Sequence, residues 1–204
     1  MKKNLIIAIR FTLITTLIFG LVYPLLVTVL SQWIFPNQAN GSLVTKNGQV
    51  VGSLLIGQAF SGDKYFHPRP SAAGNGYDPT ASGGSNLGPT NQTLVTRVQQ
   101  DVAKLEKENP GAAIPADLVT TSGSGLDPDI SPASADFQVT RVAKARGLSA
   151  EELRRIVAKH TQQRQYGIFG EARVNVLELN LDLDATAPVK PSGKATSYVA
   201  TGSE

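Results

Sequence analysis

The sequence predicts an α+β extracytoplasmic domain anchored by a single N-terminal transmembrane helix. Three observations carry this reading. Phe11 to Phe35 is a stretch of 25 residues without a charge. Three later segments repeat apolar residues at helical spacing. Arg173 to Asp184 alternates Leu177, Leu179, Leu181 and Leu183 with polar residues, the pattern of a half-buried strand.

The apolar stretch is long enough to cross a hydrocarbon core of roughly 30 Å, which needs about 20 residues. A cleaved signal peptide has a shorter apolar core, about 7–15 residues, and a small-x-small cleavage site. Here the run ends in Trp33-Ile34-Phe35-Pro36 with no such site close behind, so residues 11–34 read as an uncleaved anchor. Lys2, Lys3 and Arg10 precede it, and the next charge is Lys46. The positive-inside rule therefore places residues 1–10 in the cytoplasm and residues 36–184 outside. Thr12, Thr16 and Gly20 are spaced by four, a face on which a neighbouring helix could approach closely. Pro24 predicts a loosened or kinked turn.

After the anchor, residues 36–48 read as a linker entering a hairpin at Asn47-Gly48, and Val50 to Ile56 as a strand. Residues 61–91 hold six Gly and four Pro, which excludes a regular helix or a central strand. Tyr65, Phe66, His67 and Tyr77 argue that this segment is structured, because disordered linkers are poor in aromatic residues. Long loops of this kind are often functional. Thr90 to Glu108 is helical, with Leu94, Val95, Val98, Val102 and Leu105 on one side and Asn109-Pro110 as a stop. Ser131-Pro132 opens a second helix that Gly147 ends. Ser149 to Glu152 is a capping box for a third. Residues 185–204 lack pattern and read as a disordered tail.

The formal net charge is +3, with 19 basic and 16 acidic side chains. Removing Lys2, Lys3 and Arg10 leaves 16 basic residues against the same 16 acidic ones. No basic body remains to release counterions, which excludes a nucleic-acid binder driven by phosphate contacts. There is no Cys, hence no disulfide and no thiolate chemistry. No phosphate loop is present: Gly193-Lys194 is followed by Ala195. Asp127, Asp129 and Ser131 mimic the start of a calcium loop, but Pro132 replaces its Gly and Gln138 its bidentate Glu, so a turn and a helix cap explain them better. His67 and His160 are too few for a zinc site without carboxylates. No metal ligands and no catalytic residues are expected.

One resemblance is specific. The segments Tyr65-Phe-His-Pro-Arg-Pro-Ser71, Gly74-Asn-Gly-Tyr-Asp78 and Gly83-Gly-Ser-Asn-Leu-Gly-Pro-Thr90 resemble the C subunit of the bacterial potassium-transporting Kdp complex, a P-type ATPase. So do Leu126 to Pro132, Gln138 to Gly147 and Val174 to Asn180. The resemblance implies a place in the cytoplasmic membrane beside a channel-like potassium-binding subunit, an ATP-hydrolysing subunit and a small hydrophobic subunit. It also implies the role of a chaperone that raises the ATP affinity of the hydrolysing subunit, with ATP and potassium handled by the complex. Direct nucleotide binding conflicts with the orientation above; Gln138 and Arg141 are the weak candidates if such a site exists. Partner contacts are expected from Thr12, Thr16 and Gly20 in the membrane and from His67, Arg69, Asn75, Tyr77, Asp78, Ser85 and Asn86 in the loop. The alternative for the loop residues is that they tie the loop to its own domain. The alternatives for the whole chain are a membrane-anchored extracytoplasmic enzyme or binding module.

Overall fold

The computed structural model describes residues 1–187. The predicted tail falls largely outside the described residues. The chain divides into two compact units at Leu43/Val44.

The first unit is a helix with one irregular turn. Helix α1 (Lys2–Leu17) passes through a π-helical turn (Ile18–Val22) into α2 (Tyr23–Ile34). Together they make 33 residues, long and apolar enough to cross a membrane. The π turn immediately precedes Pro24. Proline offers no N–H and its ring crowds the carbonyl four residues back, so the preceding turn widens and Tyr23 N–H reaches Ile18 O instead. A Cβ built on Gly20 would lie 3.8 Å from Thr16 Cγ2, so these two residues do share a face. The linker contains a short helix, α3 (Pro36–Ala39), which the composition did not announce.

The boundary falls at the first residue of the expected hairpin, β1 (Leu43–Lys46) and β2 (Gln49–Ser53), which turns at Asn47 and Gly48, both in the left-handed region. Strand β2 stops earlier than Ile56. There the Ser53 hydroxyl accepts the Leu55 N–H at 3.1 Å and folds the chain into a turn. Residues 61–91 contain no helix or strand. Helix α4 (Gln92–Glu108) follows, capped by Asn91.

The core is built by α5 (Pro132–Arg146), α6 (Ala150–Lys159), α7 (Val176–Thr186) and a three-stranded antiparallel sheet. The sheet order is β3 (Asp129–Ile130), β5 (Arg173–Asn175), β4 (Thr161–Gln162), with Ile130 and Thr161 both opposite Val174. Ser131 caps α5 by accepting from Ser134 N–H, and Gly147 ends it at φ +69°. The capping box of Ser149 and Glu152 starts α6. Val139, Val142, Leu153, Val174, Leu179 and Leu183 are fully buried, and Phe66 from the long loop joins them.

One element differs in kind from its prediction. The strand expected over 173–184 ends at Asn175, and α7 takes the rest. The buried positions are 176, 177, 179, 180 and 183, a helical stripe rather than an alternation. Asn175 makes the switch by accepting the Glu178 N–H at 3.1 Å as an N-cap. The strand-to-helix junction therefore falls between Asn175 and Val176.

Candidate functional site

Backbone groups without secondary structure still need partners when buried, and the loop 61–91 finds them on side chains. Two consecutive residues are held by amide clamps. Asn180 Oδ1 accepts Phe66 N–H at 2.9 Å and Asn180 Nδ2 donates to Phe66 O at 2.9 Å. Gln138 Oε1 accepts His67 N–H at 2.8 Å and Gln138 Nε2 donates to His67 O at 3.0 Å. Each primary amide thus imitates the pairing of a neighbouring strand. Both amides are buried, on α7 and α5 respectively.

Arg141, one turn from Gln138 on α5, closes the same region. Its Nε pairs with Glu108 Oε1 of α4 at 2.7 Å. Its Nη1 donates to Asp63 O and Tyr65 O at 2.7 and 2.9 Å, and its Nη2 to Gln138 Oε1 at 2.7 Å. Arg146 adds Nε to Lys64 O at 2.6 Å and an ion pair with Asp184, while its guanidinium lies over the Tyr65 ring. The sequence candidates Gln138 and Arg141 therefore spend their polar atoms on the loop of their own domain.

Further along, Arg69 Nη1 pairs with Asp127 Oδ2 at 3.0 Å. The Tyr77 hydroxyl donates to Arg69 O; burial pushes its phenol well above its ordinary value. Ser71 Oγ donates to Gly125 O at 2.6 Å and accepts from Ala73 and Tyr77 N–H. Gly125, at φ +67°, lets the two loops touch: a Cβ there would sit 2.6 Å from Ala73 N and 2.7 Å from Gly83 O. Asp78 caps its own turn through Thr80, whose hydroxyl and N–H hold its carboxyl below the usual range. His67 Nε2 lies 3.0 Å from Gly62 O. Burial and then the Arg141 cation hold the imidazole below its ordinary value, against the opposing pull of that carbonyl.

His67, Arg69, Tyr77 and Asp78 thus all bond within their own domain. Asn75 and Asn86 stand exposed at the loop surface, Ser85 is half-buried, and Asn86 sits at φ +52°. Thr12, Thr16 and Gly20 lie in the other unit and are not part of this cluster. Asp127, Asp129 and Ser131 also act as the sequence suggests. Asp127 Oδ1 accepts Asp129 N–H, Asp129 Oδ2 pairs with Arg173 at 3.0 Å, and Ser131 caps α5. Among the described residues no three His, Asp or Glu side chains are grouped to hold a metal ion.

The loop is therefore a braced platform, and residues 5–185 match the family described as "KdpC: K+-transporting ATPase, c chain". This chain belongs to the KdpC family. The "Potassium-transporting ATPase KdpC subunit" of Koribacter versatilis (strain Ellin345) is 60% identical over 189 residues, covering 93% of this chain and 98% of the relative. The protein of the same name from Acidobacterium capsulatum is 58% identical, covering 87% and 95%. That of Rhodopseudomonas palustris (strain BisB18) is 57% identical, covering 91% and 99%.

In this KdpC family chain, reasoning from sequence did not name Asn180, Glu108, Asp127 or Gly125 as parts of the loop's support. Asn180 sat in an apparent strand on its polar face. The signal that could have found it is Asn175-x-x-Glu178, a capping pattern that turns Val176, Leu179, Asn180 and Leu183 into one helical face.

Proposed function

We propose that the chain is a non-catalytic accessory subunit that stabilises an ATP-driven, high-affinity potassium import complex and supports its ATP-dependent transport. As a member of the KdpC family it is an accessory subunit of a potassium transport complex. The finer reading concerns placement and partners. Residues 1–10 lie in the cytoplasm, 11–34 span the bacterial cytoplasmic membrane, and 36–184 form the outside domain. The charge asymmetry of Lys2, Lys3 and Arg10 supports this orientation. The anchor packs through Thr12, Thr16 and Gly20 on the transport subunits, among them the channel-like potassium-binding subunit and the small hydrophobic subunit. The outside domain caps the potassium entrance with the 65–90 loop, where Asn75, Ser85 and Asn86 meet partner surface.

The observation that carries the reading is the bracing of that loop. A loop held by two amide clamps and two arginines loses little entropy when a partner binds it, so its contacts translate into affinity. ATP enters on the other side of the membrane. Any rise in ATP affinity of the hydrolysing subunit is then an indirect effect of the assembled complex, and neither Gln138 nor Arg141 touches nucleotide. Co-purification tests the proposal. A tag on the ATP-hydrolysing subunit should retain this chain in detergent, and Asn75→Ala with Asn86→Gly, which keeps the left-handed backbone of residue 86 accessible, should lower retention without altering its melting. A chain that purifies alone, as a stable monomer, would refute it.

A further inference from the structure

Beyond the N-terminal helix and the Met1 that precedes it, the most exposed large apolar side chains of the described residues are gathered on one hairpin. Tyr166 is 92%, Ile168 72% and Phe169 63% exposed. They form the tip between β4 and β5. The neck is rigid, because Thr161 and Gln162 pair with Val174 and Arg173, and Val174 is fully buried in the core. The tip is shaped as well. Gln165 N–H donates to Phe169 O at 2.9 Å, and Phe169 N–H returns to Gln165 O at 3.0 Å. Tyr166 is held at φ +53° and Gly167 at +73°, against the ordinary backbone preference of a tyrosine. Below the tip, Arg164 and Glu171 pair at 2.5 Å, leaving Gln165 to Gly170 without charge.

We propose that this tip is a plug that seats in an apolar, uncharged socket on another chain of the same potassium-transporting ATPase. The inference rests on the reading of the chain as an accessory subunit. Charge selects the occupant. Anionic lipid surfaces attract clusters of Lys and Arg, and the cations nearest the tip, Arg164 and Arg173, are already paired with Glu171 and Asp129. A second copy of this chain offers poor complements in two of its charged clefts: one carries Arg69, Asp127 and Arg173, and the other sets Asp101, Lys104 and Glu108 beside Leu105 and Leu118. Area agrees. Three side chains of this size bury about 500 Å², short of the roughly 800 Å² per partner that a stable interface needs. The tip therefore acts as a second contact between chains that a shared membrane already brings together, where effective concentration is high.

The test uses the full chain in the assembled transporter, purified through a tag on another chain. Tyr166→Ser, Ile168→Ser and Phe169→Ser combined should leave the melting of this chain unchanged, since all three are exposed, and should lower its retention at least tenfold. In parallel, a photoreactive benzoyl-phenylalanine replacing Ile168 should crosslink to a different chain of the transporter, identified by mass spectrometry. Unchanged retention overturns the plug, as do crosslinks only to lipid, only to a second copy of this chain, or to nothing. If the unsubstituted chain itself fails to co-purify, the accessory-subunit reading falls, and the plug with it. Should the triple variant misfold, the crosslink alone decides.

Discussion

Asn180→Leu isolates the loop clamp from everything else in the domain. Leucine keeps the branched heavy-atom skeleton of asparagine with a larger volume, so no cavity opens, any overpacking adds to the cost, and the position is 1% exposed. What changes is hydrogen bonding. Phe66 N–H and Phe66 O each lose a 2.9 Å partner, and Phe66 is 0% exposed, so water cannot replace them. An orphaned buried polar group costs about 1–3 kcal/mol. Two of them give about 4 kcal/mol as a central value, out of a total domain stability of roughly 5–15 kcal/mol. For a chain of this size that corresponds to a fall in melting temperature of roughly 8–16 °C. Thermal unfolding of the full chain in detergent measures it, and limited proteolysis should show new cleavage within 61–91 before global unfolding. Asn75→Ala, on the same loop but exposed, should move the melt by no more than about 0.5 kcal/mol. A melt of Asn180→Leu within that same margin would refute the reasoning, as would a large fall with the loop still protected from protease.

Three further outcomes follow from the same geometry. Arg141→Lys should destabilise by about 2–4 kcal/mol despite keeping the charge, because an ammonium cannot reproduce the fork that serves Glu108, Asp63, Tyr65 and Gln138; denaturant melts compare it with wild type. Gly125→Ala should destabilise by more than about 2 kcal/mol, since its Cβ would press on backbone at 2.6 Å from a left-handed residue, and cleavage near residues 71–83 should report it. His67, held below its ordinary 6.5 first by burial and then by Arg141, binds its proton more readily in the unfolded chain. Its contribution to stability is therefore present above pH 6.5 and declines as pH falls below it. Urea melts at pH 7.5 and 5.5 should show a smaller decline for His67→Gln than for wild type, and equal declines would contradict the assignment.

Local signals were readable where they were chemical. Ser131-Pro132, Gly147 and the Ser149–Glu152 box each mark a helix end because a cap is satisfied within four residues. Asn47-Gly48 marks a hairpin because both residues accept the left-handed backbone its turn requires. The stretch 176–186 was misleading because its Leu residues at every second position also cover a helical stripe, and only the Asn175 cap distinguishes the two. The three-stranded sheet left no periodic trace: β3 and β4 have two residues each, fewer than one period can show. The candidate site was half legible. The loop's odd composition and its aromatic residues pointed to order, and Gln138 and Arg141 stood out. Their partners did not, since Asn180 lies 114 residues from Phe66 and Asp127 lies 58 from Arg69. Pairings of that span are decided by the fold and have no local spacing to betray them. The sequence reading also gave the loop residues two rival roles, and for His67, Arg69, Tyr77 and Asp78 the internal one is visible.

The proposed orientation puts the braced loop outside the membrane, and one labelling experiment tests it. The sequence has no Cys, so a single introduced thiol reports a single position. Glu151, with its side chain 70% exposed on α6, marks the domain, and Lys3 marks the N-terminus. With a membrane-impermeant maleimide on intact cells, Glu151→Cys should label at once and Lys3→Cys only after the cells are opened. Labelling of Lys3→Cys in intact cells, with Glu151→Cys protected until lysis, would contradict the account.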